Sequence, residues 1–525
     1  MALGTLTSRI TGIFRDIALV AAIGTAIFAD TYSVANSIPN IIYILIAGGA
    51  INAVFIPALV RHMKDDEDQG QLFTDQLLTF IGLVLLVIVT LGVIFSGSLV
   101  KLYATNSWSA QDFKVATIFT MWFIPQVFFY GIYTIASQVL NARDIFILPM
   151  FAPIINNVVV IVTAIAFLSI STQVPTTDSV TTSQIYLLGF GTTLGVVLQA
   201  VILLPALKKA GYGFNPTFNF RGSGLGKIAD LAIWTIGFVI VNQISFLIVS
   251  NLTTYANVLA VNENLVANGF TSYQKAQLMM MLPHSIITVS IVTALLPRLS
   301  AHAHDHADQK FNQDLANAMR SVIALTVPLA VMLYLAGNRI GQFLYGYGAS
   351  SGAQGQAVGK VASMFAVGLP AFSMFYVLLR SYYARENTKT PFLINAGFNV
   401  LHLTLGTYLF IRVETENKVA ALALAYSISY IAVWIFTWRL VSRQKVNLNT
   451  ASQIRLLVRV SVAALIALGL SWITTQFVTT VTPENALGGL IQLSTLALTF
   501  SGVYYFCAKQ MQIVEVSNFL KTIQR

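Results

Sequence analysis

The sequence predicts an all-α polytopic membrane protein of about fourteen transmembrane helices: two six-helix bundles followed by two further helices. Three observations predict it. Of the 525 residues, 56% are hydrophobic and only 10% charged, against roughly 25% charged in a soluble domain. Apolar runs such as Leu77 to Val100 exceed the ~20 residues a helix needs to cross a hydrocarbon core. A stretch of the first half also recurs in the second. These proportions exclude an ordinary soluble enzyme.

In chain order, apolar windows are centred near residues 14, 45, 88, 128, 158, 196, 241, 286, 328, 370, 401, 430, 466 and 497. No charged leader and cleavage site precede the first, so span 1 reads as a retained anchor. With the N-terminus inside, the inward connections carry Arg61, Lys64, Arg143, Lys208, Lys209, Arg221, Lys227, Arg298, Lys310, Arg385, Lys389, Arg439, Arg443, Lys445 and Arg455. The outward connections Ser171 to Thr182, Ala256 to Phe270 and Tyr345 to Gln356 hold no lysine or arginine; Arg412 and Lys418 run against the pattern. The positive-inside rule then places both termini, with Lys521 and Arg525, in the cytoplasm.

Span 1 opens with charges: Arg9, Arg15 and Asp16. Arg9 and Asp16 lie two helical turns apart on one face, with Arg15 about 100° round from Asp16. A charge at the bilayer centre costs a few kcal/mol even on lenient scales, which favours a bundle interior. The alternative for Arg9 and Arg15 is snorkelling to the cytoplasmic headgroups. Asp30 begins span 2 on the outward side, as the partner of a cation or as a helix cap. Pro39 and the small-residue run Ala47 to Ala50 permit a bend and close helix approach there.

The repeat aligns Leu140 to Val158 with Tyr382 to Val400 without gaps, a constant offset of 242 that matches Ala142 with Ala384, Arg143 with Arg385, Pro149 with Pro391 and Asn157 with Asn399. Pro57 with Pro297 and Pro125 with Pro370 pair at similar offsets. An even number of spans separates the copies, so the halves share one orientation about an axis along the membrane normal. The expected boundaries are 1–210 for the first bundle, 211–226 for a cytoplasmic linker, 227–445 for the second bundle and 446–525 for two additional spans. Paired bundles of this kind place a substrate path at their interface and open alternately to each side.

Other features are weaker. His302, His304 and His306 alternate in an expected loop beside Asp305 and Asp308, a spacing that shares no helix face and argues for a solvated turn over a metal site. Lys64 to Gln69 reads as another solvated turn. His284 follows Pro283 in span 8, as a packed histidine or a pH-responsive one. Asn395 and Asn399 share a face of span 11 and Asp230 opens span 7; polar packing and an ion-coupling site both fit them. Gly191 and Gly195 form a small-xxx-small packing pair. Cys507 is the single cysteine, and "GSGLGKIAD" lacks the glycine spacing of a nucleotide-binding loop, so energy is expected from an ion gradient (Na+ or H+), the membrane potential or the lipid gradient.

The motifs "SRITGIFRD", "ADTYSVANSIPN", "GGAINAVFIPALV", "YYARENTKTP" and "TALLPRLS" closely resemble the MurJ (MviN) family of lipid II flippases, in the multidrug/oligosaccharidyl-lipid/polysaccharide exporter superfamily. The resemblance runs from about residue 4 to the end. It implies movement of the undecaprenyl-diphosphate-linked peptidoglycan precursor between leaflets of the bacterial plasma membrane, with no enzymatic step and no cofactor beyond a coupling cation. It further implies a cationic central cavity for the diphosphate and a tail groove near spans 13 and 14. By resemblance Ser8, Arg9, Arg15 and Asn40 fall at substrate-binding positions, Asp16 holds an arginine, and Asp30 closes the outward side.

The sequence departs from the family at two places, where Tyr43 and Leu278 stand for expected arginines. Lys275, one turn before Leu278, is the candidate substitute, with snorkelling as its alternative. This region looks closer to actinobacterial members. Expected partners are lipid II, membrane lipids and cell-wall synthesis proteins, with no nucleic acid, and the expected state is a monomer. The competing readings are a flippase for another polyprenyl-linked glycan, a MATE-like drug/cation antiporter, and a non-transporting cell-wall scaffold.

Overall fold

Helix is the only regular structure in the residues that the computed structural model describes: 2–46, 71–218, 229–444, 446–482 and 486–523. They form two compact units. The first comprises the chain through Thr271 together with Tyr347–Ser351. Its helices are α1 (Ala2–Ile23), α2 (Ile27–Ile46), α3 (Gln71–Ile94), α4 (Ser96–Tyr103), α5 (Ala110–Phe123), α6 (Gln126–Ala142), α7 (Ile147–Ile170), α8 (Thr182–Val201), α9 (Leu204–Lys209) and α10 (Ala229–Asn262). The second comprises Ser272–Gly346 and the chain from Gly352. It holds most of α11 (Phe270–Pro283), a π turn (His284–Thr288), α12 (Val289–His304), α13 (Asp308–Tyr345), α14 (Gly352–Tyr383), α15 (Lys389–Arg412), α16 (Lys418–Arg443), α17 (Thr450–Val481), α18 (Ala486–Gln510) and α19 (Val514–Ile523).

Among the described residues twelve helical spans are long and apolar enough to cross a membrane. Helices α1 and α2, 22 and 20 residues long, lie where the first two of the fourteen expected spans fall but are not among those twelve. The second window, centred near 45, begins as early as Ile27 because its polar first half is helical too. Its hydroxyls bond back to the preceding turn, Thr31 to the Phe28 carbonyl and Ser37 to the Ser33 carbonyl, both at 2.7 Å, which satisfies them inside an apolar setting. Ala47 to Ala50, Pro57, Arg61, Lys64 to Gln69, Arg221, Lys227, Lys445 and Arg525 lie outside the described residues.

Compactness divides the chain at a different point from the expected linker at 211–226. Span 7 (α10) packs with the first unit, because a row of its polar side chains satisfies the end of α4: Ser250 bonds the Tyr103 carbonyl (2.8 Å), Asn251 the Ala104 carbonyl (2.7 Å), and Thr254 accepts from the Thr105 N–H (3.0 Å). The Tyr347–Ser351 turn joins the same unit by donating the Ala349 N–H to the Ala21 carbonyl at 2.7 Å. Glycine is required on both sides of that contact. Gly24 and Gly348 have φ of +73° and +66°, and a Cβ on Gly348 would collide with the Ala21 carbonyl. After span 6, the Tyr212 hydroxyl donates to Asp75 at 2.7 Å beneath Arg143. Burial and the neighbouring Asp75 push the Tyr212 phenol well above its usual range, so it remains a donor across physiological pH.

The repeat holds at the level of single hydrogen bonds. Ile145 bonds back to the Leu140 carbonyl at 2.9 Å and Asn387 to the Tyr382 carbonyl at 3.0 Å. Asp144 and Glu386, equivalent at the same offset, both take left-handed φ, 61° and 56°. Helices α7 and α15 begin and end at residues separated by that offset.

Glycines set the closest helix approaches. Gly191 faces Thr163 and Gly195 faces Asn156 of α7, with an added Cβ at Gly195 only 2.5 Å from Asn156 Oδ1, in keeping with the expected packing pair. A tighter contact joins Gly337 and Gly341 of α13 to Gly355 and Gly359 of α14, where an added Cβ on Gly359 would overlap the Gly337 carbonyl. That obstacle is backbone and cannot rotate away. Gly359→Ala is therefore expected to destabilise by about 1–3 kcal/mol, the usual cost of overpacking, seen as a lowered thermal midpoint of the purified protein; an unchanged midpoint would contradict this packing.

Candidate functional site

Helix α1 lies along α7, and Asn157 of α7 is the hub of their contact. Its amide nitrogen donates to the Ser8 carbonyl (3.1 Å) and to Thr11 Oγ1 (3.0 Å), while its Oδ1 accepts from Arg15 Nη1 at 3.2 Å. Arg15 Nη2 lies 3.4 Å from Asp16 Oδ1, and Asp16 is buried, 4% exposed. The Arg15 side chain is one-third exposed, at 33%. Its Nε is shielded and meets no acceptor. Of the five N–H groups of a guanidinium, two are engaged here. Asn157 of α7 and Asp16 thus hold the Arg15 guanidinium, which keeps further N–H groups unengaged.

Hydroxyl and aromatic groups surround this cation. Tyr32 and Tyr130 lie within its electrostatic reach. Tyr32 bonds Thr192 at 2.7 Å and packs edge-on against Phe119 and Phe123, with ring centroids at 5.4 and 5.2 Å. Tyr130 donates to Gln126 at 3.2 Å, which in turn donates to Thr193 at 3.1 Å. Tyr43, in place of an expected arginine, bonds the Thr134 hydroxyl and packs its ring 5.4 Å from Tyr130. At the Tyr43 position the partners are a neutral hydroxyl and an aromatic ring.

Asp30 is fully buried, and its carboxylate accepts three hydrogen bonds: from the Thr271 N–H (2.7 Å), the Phe270 N–H (3.1 Å) and Asn257 Nδ2 (2.7 Å). It is a cap, but of the first residues of α11 rather than of its own helix. The free N–H groups and positive dipole end of a helix favour a carboxylate there. Gly269 makes room for it, since a Cβ would overlap Asp30 Oδ2 and come within 2.6 Å of Asn257 Cβ.

The other expected residues are dispersed. Arg9 is half-buried on α1, and Asn40 is exposed on α2. Lys275 and Leu278 are half-buried on α11, in the second unit. Asp230 opens its helix as expected, with its side chain outside the described residues. Asn395 and Asn399 are both buried on one face of α15. Asn399 donates to the Asn395 carbonyl at 2.8 Å, while the Asn395 amide nitrogen has no partner. His284 starts the π turn after Pro283, bonds Ser373 at 2.9 Å and packs against Phe372 and Tyr376. The expected loop at His302 and His304 is instead the last turn of α12, where His302 lies 3.3 Å from Asp314. Sequence reading missed Asn157, Thr11, Asn257 and Gly269 as site residues. Only Asn157 carried a signal, through its place in the repeat.

A family model described as "Lipid II flippase MurJ" matches residues 19–488. The lipid II flippase MurJ of Burkholderia cenocepacia is 26% identical over 509 residues, covering 95% of this chain and 94% of the relative. The probable lipid II flippase MurJ of Thermotoga maritima is 29% identical over 436 residues, covering 83% and 82%. These relatives lend no support to the actinobacterial likeness. Among solved structures, one of lipid II flippase MurJ superposes with a TM-score of 0.74 at 21% identity, covering 97% of this chain and 98% of the other. A MATE family transporter superposes at 0.64 and 13% identity, covering 86% and 100%; both likenesses speak to fold. With the family model spanning most of its length and a polytopic helical architecture to match, the chain belongs to the MurJ family, whose members are flippases rather than enzymes.

Proposed function

We propose that this chain is a lipid II flippase, moving the undecaprenyl-diphosphate-linked peptidoglycan precursor from the cytoplasmic to the outer leaflet by alternating exposure of the Arg15 cluster. The observation that carries the proposal is Arg15 itself, fixed by Asn157 and Asp16 with N–H groups to spare. A guanidinium stays charged when desolvated and bonds phosphate oxygens in pairs. Asp16 and Asn157 orient it, and the hydroxyls of Tyr130 and Tyr43 offer neutral partners to a sugar or peptide group. Arg9, on the same helix as Arg15, is a further candidate cation, and Lys275 is another on α11. Release follows when the Asp30 cap on the Phe270 and Thr271 amides opens.

Both termini face the cytoplasm in this reading, supported by the arginine and lysine bias of the connections. A coupling cation is proposed either at the buried pair Asn395 and Asn399, whose side chains carry carbonyl oxygens on one face of α15, or at Asp230, which opens span 7. The buried acids and aromatics near Arg15 would also suit a drug/cation antiporter, but a guanidinium with donors to spare favours an anionic cargo; a scaffold would need no such cation.

The test is complementation of a bacterium depleted of its own lipid II flippase. This chain, confirmed in the membrane, is expected to restore growth and externally accessible lipid II. A well-expressed chain that restores neither would favour another glycolipid as cargo.

A further inference from the structure

A second cationic cluster, unused by the transport reading, lies in the second unit where α13, α17 and α19 meet. Arg320 of α13 donates from Nε to Glu515 of α19 at 2.6 Å and from Nη1 to the Ser452 hydroxyl of α17. Arg455 and Arg459 share the Ser452 face of α17, at spacings of three and seven residues. These side chains line a cavity of about 100 Å³. It shares Arg320 and Ser452 with a larger cavity of about 530 Å³, whose other walls are amides, among them Gln313, Asn317, Asn447 and Gln453. On its other flank it shares Arg459 with a groove of about 320 Å³ between Val458, Val462 and Met511. From that groove an exposed apolar stripe, Ile454, Val458, Val462 and Leu465, runs along α17.

Apolar groove, guanidinium cluster and amide chamber therefore follow one another in the order of a lipid's own parts: acyl chain, phosphate and polar headgroup. Three arginines line the cavity, and Arg320 among them is paired with Glu515, so the lining keeps a positive excess suited to phosphate. Gln453, 3% exposed, is anchored through Nε2 to the Ala316 carbonyl at 2.9 Å, yet its Oε1 has no partner. A buried acceptor left open in a cavity wall points to a ligand donor. The repeat supplies no equivalent, since Leu78 stands 242 residues before Arg320. The positive-inside pattern puts this end of the unit at the cytoplasmic surface.

We propose that this junction of α13, α17 and α19 binds the phosphate-bearing headgroup of a membrane lipid, with phosphate at Arg455 and Arg459 and headgroup hydroxyls or amides in the amide chamber. The proposal stands whether or not lipid II is the cargo. Binding of phosphatidylglycerol, lipid II and inorganic pyrophosphate to the full chain in detergent, followed by native mass spectrometry, tests it. Arg455 and Arg459 are exposed, so Arg455→Gln/Arg459→Gln is expected to fold with an unchanged thermal midpoint and to lose about tenfold in lipid affinity, the scale of one charge-assisted bond. Arg455→Lys/Arg459→Lys should recover part of it. Loss confined to phosphatidylglycerol assigns the site to a resident phospholipid; loss confined to lipid II assigns it to capture of the transported lipid ahead of Arg15. Loss for pyrophosphate alone, or affinities in the glutamine variant unchanged from the parent for all three probes, would overturn the proposal.

Discussion

Arg15→Ala is expected to abolish rescue of a flippase-depleted bacterium and to remove externally accessible lipid II, with the protein present in the membrane at normal level. Two consequences of the substitution must be separated. One is structural: Asp16 is 4% exposed and loses its contact with Arg15, and weakening the pairing of a buried carboxylate costs stability. Here, where Arg15 is one-third exposed, about 1–2 kcal/mol is expected. The other is functional, because the phosphate-binding fork is gone. Arg15→Ala/Asp16→Asn resolves them. Removing the Asp16 charge as well should return the thermal midpoint toward that of the parent while transport stays absent. Recovery of transport in the double variant would make the Arg15–Asp16 pair a structural strut and remove it from substrate binding. Arg15→Lys should retain only part of the activity, since an ammonium replaces a fork by a point charge.

Asp30→Ala is expected to be the most destabilising single change in the first unit. It strands three donors, the Phe270 and Thr271 N–H groups and the Asn257 amide, all in a fully buried setting. At about 1–3 kcal/mol for each unsatisfied group, a lowering of the thermal midpoint well beyond that of an ordinary substitution is expected. Gly269→Ala attacks the same contact from the other side, because its Cβ would occupy the place of Asp30 Oδ2. The two changes break one contact, so their combination should cost little more than either alone. Fully additive losses would show that Gly269 acts elsewhere.

Much of this architecture was legible in the sequence because its signals were long. Apolar windows report spans one by one, and a gap-free repeat of nineteen residues, 140–158 on 382–400, reports a turn whose left-handed Asp144 and Glu386 and backward hydrogen bonds are reproduced in each copy. Arg15 and Asp16 were legible because charge inside an apolar run has few explanations. Asn157 was not, since a single amide in a span is ordinary until the residues opposite it are known. Nor could spacing show that Asp30 caps the start of α11, a contact across 241 residues to Thr271, or that span 7 packs on α4. These depend on which helices meet, and hydropathy carries no record of that. The histidine pattern misled in the opposite direction: alternate residues share no helix face, yet α12 continues through His304, with Arg298 of the same helix donating to Asp314.

The central claim is that Arg15 grips a diphosphate. The most direct measurement is the affinity of the purified chain for undecaprenyl-diphosphate glycopeptide and for the same lipid with its diphosphate replaced by an uncharged linker, each with the parent and with Arg15→Gln. The account predicts that the parent prefers the diphosphate by about tenfold or more, the scale of one charge-assisted contact, and that Arg15→Gln loses this preference while binding the uncharged lipid unchanged. An equal preference in both proteins would contradict it.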